Sequence, residues 1–100
     1  MPFVIRHKRT NRIFSCMLTN IYDFEYYGVK SWDSREEAEA DFASFLLLHG
    51  VEPASDWEPA EVDERLLKLF NVKLNNDPEK RVFLMDGKAV AMPAADDDGK

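Results

Sequence analysis

The chain has 100 residues, of which 45% are hydrophobic and 12% aromatic, and a formal net charge of −6 at pH 7. This length predicts one domain, and the hydrophobic share excludes a wholly disordered chain. Apolar runs such as residues 45–48 are far too short to span a bilayer. The single cysteine, Cys16, excludes an intramolecular disulfide and a cysteine-based zinc cage. The single cysteine and an N-terminus that lacks a signal-peptide pattern indicate a reducing, cytoplasmic location. The short apolar runs predict no membrane association.

The charge is unevenly placed along the chain. Residues 1–30 hold five Lys/Arg against two Asp/Glu, a balance of +3, whereas residues 31–100 hold eight against seventeen, a balance of −9. An acidic body disfavours non-specific binding to nucleic acid or anionic lipid. The charge therefore makes nucleic acid a disfavoured partner and favours a basic protein.

The first elements read as a hairpin, with strands at 3–8 and 13–19 joined by a turn at 9–12. Asn11 suits that turn because asparagine tolerates positive φ. Alternation groups the inward residues of the two strands, which we expect to meet across a half-buried sheet. These residues are Phe3, Ile5 and His7 on the first strand, and Phe14, Cys16 and Leu18 on the second.

The segment 20–32 holds five of the twelve aromatic residues. We predict a loop at 20–25 and a third strand at 26–32, in which Gly28 marks a bulge or a close backbone approach. Two interpretations stay open. The segment is either a lid over the core or a recognition surface, because Tyr and Trp often anchor interfaces. The candidate residues are Tyr22, Tyr26, Tyr27 and Trp32.

The central helix is predicted from signals at both of its ends. Ser34 and Glu37 form a capping box at its start, and Gly50 with Val51 suits a Schellman motif at its end. Between them, an apolar stripe recurs at helical spacing. Its members are Ala38, Phe42, Phe45, Leu46 and His49.

The second half predicts another helix and a second hairpin. We expect the helix to begin between Asp56 and Pro59, because proline is tolerated in a first turn. Its apolar stripe consists of Val62, Leu66, Leu69 and Phe70. The run 75–78 breaks the helix, and Asp86-Gly87 is the strongest hairpin signal in the chain, since a type I′ turn needs positive φ at both positions.

The predicted fold is α+β: an antiparallel sheet of about five strands, made of two hairpins plus one strand, with both helices packed on one face. Residues 1–92 are expected to form this single domain, and 93–100 a disordered acidic tail.

No constellation in the sequence predicts catalysis. There is no glycine-rich phosphate loop, and His7 and His49 lack partners at metal-ligand spacing. A nucleophile pair of Cys16 and His7 is conceivable across the first hairpin, but no third group or oxyanion site accompanies it. We therefore predict no enzyme, no cofactor, and no catalytic or metal site.

The function predicted instead is that of a small, acidic, non-enzymatic protein-binding module. It would act as an inhibitor or regulator of a nucleic-acid-handling enzyme, whose basic groove would accept Asp and Glu in place of phosphates. The candidate contacts are the four aromatic residues above together with the acidic residues Glu58, Glu61, Asp63 and Glu64.

Two alternatives stay open beside this prediction. The first is nucleic-acid binding through the basic first hairpin, since a β-ribbon with cations at its tip can lie along phosphates. Its candidate residues are Arg6, Lys8, Arg9 and Arg12. The second alternative is a homodimer with a structural role, in which edge strands pair.

Overall fold

The computed structural model describes residues 1–94. This part of the chain forms seven β-strands and two α-helices. In chain order they are β1 (Phe3–His7), β2 (Arg12–Ile13), β3 (Ser15–Thr19), β4 (Glu25–Val29), α1 (Arg35–Leu48), β5 (Trp57–Glu61), α2 (Glu64–Leu74), β6 (Lys80–Met85) and β7 (Lys88–Pro93). Strand β7 includes Pro93, the first residue of the predicted tail, and residues 95–100 of that tail lie outside the described residues.

Five strands form one antiparallel sheet in the order β5-β1-β2-β6-β7, while β3 and β4 form a separate two-stranded ribbon. The α+β class and the five-stranded antiparallel sheet are confirmed. The membership of the sheet differs from the prediction. The strand predicted at 26–32 is β4, which covers only 25–29 and pairs with β3, and β5 takes a place in the sheet instead.

The first predicted hairpin holds only as far as Phe14. Arg6 pairs with Ile13, and the N–H of Phe14 donates to the carbonyl of Ile5 at 2.8 Å, after which β3 leaves β1 for β4. All four residues of 13–16 are buried. Alternation predicts one exposed side for such a strand, whereas this segment is covered on both sides. The chain leaves the five-stranded sheet within this segment, in which alternation had predicted that every second residue would be exposed.

The prediction that the second helix begins between Asp56 and Pro59 is wrong, because residues 57–61 form β5 and pair with β1. Backbone bonds at both ends of β5 place its even-numbered residues on the paired side: Lys8 N–H to the carbonyl of Asp56, and Val62 N–H to the carbonyl of Pro2. Pro59 therefore turns its nitrogen, which has no hydrogen, to the outer edge. Proline is tolerated in this position of an edge strand.

Helix α2 begins at Glu64, with Asp63 as its N-cap. The Oδ1 atom of Asp63 accepts a hydrogen bond from the N–H of Leu66 at 2.7 Å. At the other end, Asn75 and Asn76 adopt left-handed φ values of 52° and 54°. The predicted break at 75–78 is thus confirmed, and asparagine tolerates this backbone conformation better than most residues.

The two helices lie on opposite faces of the sheet, where the sequence predicted one shared face. Alternation along β1 decides this, because Phe3 and Ile5 point to α1 whereas Val4 points to α2. The α1 cluster consists of Phe3, Ile5, Phe14, Cys16, Trp32, Ala38, Leu46 and Trp57. The α2 cluster consists of Val4, Ile13, Tyr27, Val29, Val62, Phe70, Leu74 and Val82.

The predicted serine cap and the C-terminal motif of α1 are confirmed. The Oγ of Ser34 accepts the N–H of Glu37 at 3.2 Å. At the C-terminus, Gly50 has φ +74° and the N–H of Val51 donates to the carbonyl of Leu46 at 2.9 Å, as in a Schellman motif. The stripe is shallower than predicted, since only Ala38 and Leu46 of α1 are fully buried, while the two phenylalanines are half-buried and His49 is exposed.

The second predicted hairpin is confirmed. Strands β6 and β7 pair from Lys80↔Pro93 to Met85↔Lys88. Asp86 and Gly87 have φ values of 52° and 77°, which a type I′ turn requires at both central positions.

Candidate functional site

The predicted aromatic candidates divide into a buried pair and an exposed pair. Tyr27 and Trp32 belong to the two core clusters, where they act structurally. The hydroxyl of Tyr27 lies 2.7 Å from the Oγ of Ser15 and 2.9 Å from Nη1 of Arg81, which donates to it. Trp32 donates its indole N–H to the carboxylate of Asp41 at 3.1 Å. The lid interpretation therefore describes these two residues.

The exposed pair, Tyr22 and Tyr26, lies at the far end of the ribbon formed by β3 and β4. We call residues 20–25 the ribbon tip. Three apolar side chains there stand in solvent, with exposed fractions of 90% for Ile21, 72% for Tyr22 and 69% for Phe24. Met17 and Tyr26 flank the tip and are also exposed. Ile21, Phe24 and Met17 were missed as candidates. For Ile21 and Phe24 the signal was the lack of alternation in 20–25, and for Met17 it was the position between the inward residues Cys16 and Leu18.

The loop of the ribbon tip has a defined backbone. Asn20 organises it, since its Oδ1 accepts the N–H groups of Tyr22 at 2.8 Å and Phe24 at 3.1 Å. Two backbone bonds close the same loop, from Asn20 N–H to the carbonyl of Phe24 and from Asp23 N–H to the carbonyl of Asn20. The backbone of Asp23 adopts a left-handed φ of 68°. The apolar side chains are thus presented from a hydrogen-bonded turn, which lowers the entropy lost on binding.

Two asparagines attach the ribbon to the C-terminal half of α2 and to the turn that follows this helix. Asn76 Oδ1 accepts the N–H of Tyr27 at 2.7 Å, and Asn71 Oδ1 accepts the N–H of Val29 at 2.9 Å. Followed backwards from Val29 to Tyr27, β4 thus moves toward the C-terminal end of α2. The ribbon tip, whose last residue is the first of β4, therefore lies beyond that end.

The acidic candidates do not share this surface. Glu58 forms an ion pair with Arg6 in the sheet, and Asp63 is engaged as the cap of α2. Glu61 and Glu64 are exposed, but Glu64 opens α2, about 15 Å along the helix axis from its last residue. The structure therefore separates the predicted acidic and aromatic contacts into two surfaces at opposite ends of α2.

The basic residues of the first hairpin are partly engaged within the protein. Besides its ion pair with Glu58, Arg6 donates to Asn11 Oδ1 at 3.3 Å. The guanidinium of Arg12 lies 5.8 Å from the ring centroid of Trp57, within cation–π range. Lys8 and Arg9 are exposed. Of the four predicted nucleic-acid contacts, two thus have partners in the fold.

The candidate nucleophile pair of Cys16 and His7 is not arranged for nucleophilic catalysis. Burial raises the pKa of the Cys16 thiol to about 11, although Lys30 opposes the shift, so the reactive thiolate is disfavoured near neutral pH. His7 packs edge-on against Trp57, with ring centroids 4.8 Å apart, and its Nδ1 accepts the N–H of Arg9. Within residues 1–94, no group of three His, Cys, Asp or Glu side chains could hold a metal ion.

Neither described helix is long and apolar enough to cross a membrane. Comparison with protein-family models, with curated proteins and with solved structures gave no match.

Proposed function

We propose that the chain is a small, non-enzymatic protein-binding module whose main contact surface is the ribbon tip. The observation that carries this proposal is the exposure of Ile21, Tyr22 and Phe24 on one hydrogen-bonded turn. Exposing three large apolar side chains together on a rigid element costs solvation without helping the core. Tyr and other aromatic residues are also enriched among residues that dominate interface energetics.

The partner that fits this tip has an apolar cleft with basic residues around it. The ribbon tip carries Asp23 and Glu25 and no Lys or Arg, and the whole chain has a net charge of −6. Carboxylates at the rim of an apolar contact guide association with a cationic surface. This charge also supports the narrower proposal of an inhibitor or regulator that occupies the basic groove of a nucleic-acid-handling enzyme. Glu61 and Glu64, which are exposed, would then form a second contact.

The two alternative functions have weaker support. Nucleic-acid binding through the first hairpin would depend mainly on Lys8 and Arg9, because Arg6 is paired with Glu58 and Arg12 lies over Trp57. A homodimer through an edge of the five-stranded sheet would have to use β7, since Pro59 interrupts the row of donors on the outer edge of β5.

A photo-cross-linking experiment in extract of the native host tests the proposal. A photoreactive phenylalanine analogue replaces Tyr22 in one sample and Leu48 in the other, because Leu48 is also apolar and 81% exposed but lies on α1. We expect one discrete protein adduct from position 22, which excess unlabelled chain removes. The same adduct from both positions, or none from position 22, would contradict a contact at the ribbon tip.

A further inference from the structure

The two edges of the five-stranded sheet differ in their capacity to accept another strand. On β5 the outer edge carries Pro59 at its centre, so a donor is missing there. On β7 the proline, Pro93, is the last residue of the strand, and residues 89–92 contain neither proline nor charge. Edges with uninterrupted donors and acceptors are the ones to which extended chains add.

The outward groups of β7 follow from its pairing with β6. Met85 and Lys88 flank the two-residue turn, so they form a hydrogen-bonded pair, and such pairs recur at every second residue. The groups that bond to β6 are thus those of Lys88, Val90 and Met92. The N–H and C=O groups of Ala89 and Ala91 point outward, and within residues 1–94 no backbone or side-chain partner is found for them.

A cleft of about 470 Å³ lies beside this edge, between β7 and the outer flank of α2. Leu66 and Leu69 supply apolar lining from α2, and Ala89 supplies it from β7. Because a neighbouring strand lies about 4.8 Å away, a segment added to β7 would place alternate side chains in this cleft.

The charge of the cleft is opposite to that of the chain. Arg65, Lys73 and Lys88 line it, and none of them forms an ion pair within residues 1–94. The one carboxylate in the lining, Asp63, accepts the N–H of Leu66 at 2.7 Å. In a chain with a net charge of −6, three cations around one apolar cleft favour an acidic ligand.

We propose that the edge of β7 and this cleft bind an extended acidic segment of a partner protein, which adds to the sheet as a sixth strand. The amides and carbonyls of Ala89 and Ala91 hold its backbone, and Arg65, Lys73 and Lys88 bind its carboxylates. A second copy of the chain fits less well, because two β7 edges would bring two sets of these cations together. This inference goes beyond the proposed function, since it concerns another surface and does not involve the ribbon tip.

Amide hydrogen exchange on the full-length, ¹⁵N-labelled chain tests the proposal. The probe is a blocked eight-residue peptide of alternating valine and glutamate, and its control alternates valine and lysine. We expect the glutamate peptide to slow exchange at Ala89 and Ala91 by at least about tenfold, as new backbone hydrogen bonds do. The lysine peptide should leave both amides unchanged. Equal protection by both peptides, or none at millimolar glutamate peptide, would overturn the proposal.

Variants separate the two parts of the site. The double variant Lys73→Glu/Lys88→Glu should weaken the glutamate peptide at least about tenfold, whereas Lys68→Glu, on α2 but outside the cleft lining, should not. Ala91→Pro removes an outward donor and no bond to β6, so it should abolish protection at Ala89 while leaving the rest of the spectrum folded. Protection of Ala89 and Ala91 in the free chain would overturn the proposal, because the chain itself, or a second copy if the effect depends on concentration, would then cover the edge.

Discussion

Asn71 of α2 lies in close contact with Gly28 of the ribbon, at the point where the ribbon packs against α2. Asn71 Oδ1 accepts the N–H of Val29 at 2.9 Å, and a Cβ atom at position 28 would lie 2.8 Å from the same oxygen. The ring of Tyr26 would lie 2.9 Å from that Cβ on the other side. A close approach thus exists at Gly28, but it comes from side chains and not from a second backbone as predicted, and one of these side chains anchors the ribbon.

This close contact allows the effect of Gly28→Ala on stability to be predicted. The added methyl group must displace Asn71 or Tyr26, so we expect a loss of about 1–3 kcal/mol in the free energy of unfolding, as overpacked sites show. Urea denaturation measures it, in a double-mutant cycle with Asn71→Ala. In the Asn71→Ala background Gly28→Ala should cost less, because one of the two clashing groups is gone. Additive losses would mean that Asn71 does not limit the space at Gly28.

A second prediction concerns Phe45, which is half-buried on α1. Its ring lies edge-on to Phe14 and Trp32, with centroids 6.2 and 5.9 Å away. Phe45→Ala should therefore lower the free energy of unfolding by about 3 kcal/mol, at the lower end for buried aromatic residues. Leu47→Ala on the same helix is the control, since Leu47 is exposed and its loss should cost below about 0.5 kcal/mol. Thermal melts in which both variants behave alike would contradict this packing.

The Cys16 thiol predicts a pH dependence of stability. Burial raises its pKa from 9.0 to about 11, so above pH 9 the unfolded chain releases a proton that the folded chain retains. Stability should then fall as pH rises from 9 toward 11, by up to about 1.4 kcal/mol per pH unit. Comparison with Cys16→Ala isolates this group from other titrating residues in urea denaturation. A wild-type curve parallel to that of the variant would show that the thiol titrates alike in both states.

Local signals in the sequence were sufficient for some elements. Caps and turns could be predicted from spacing alone, because their hydrogen bonds join residues close in sequence. This holds for Ser34, Gly50 and the pair Asp86-Gly87. By contrast, β5 is a strand because β1, whose residues lie 50 to 58 positions earlier in the chain, pairs with it. Within 57–61 the proline suited the start of a helix, and no other local pattern indicated a strand.

The site could be predicted only in part for the same reason. Tyr26 and Tyr27 are adjacent and chemically identical, yet Tyr27 is buried in the α2 cluster, where Ser15 and Arg81 bond to its hydroxyl and Asn76 to its backbone N–H. These partners are distant in sequence. The sequence therefore identified the aromatic segment as important but could not separate core residues from exposed ones.

Charge reversal distinguishes the acidic contact from nucleic-acid binding. Glu61→Lys/Glu64→Lys should slow association with a basic partner and flatten its salt dependence, with the fold retained, because both side chains are exposed. If nucleic acid is the ligand, Arg9→Ala should instead weaken binding and lower the salt slope by up to about one unit. Titrations at two salt concentrations, against the cross-linked partner and against labelled duplex, measure both. Tight wild-type binding to bare duplex at physiological salt would contradict the acidic-module proposal.

The affinity of Tyr22→Ala for the partner that cross-links at position 22 tests the central claim most directly. Tyr22 is 72% exposed and contributes little to the core, so its loss should leave the melting temperature unchanged. Isothermal titration should show the dissociation constant rising at least about tenfold, or about 1.4 kcal/mol, as for an interface anchor. Leu48→Ala should leave it unchanged. An unchanged affinity for Tyr22→Ala, with the fold intact, would contradict the assignment of the ribbon tip as the binding surface.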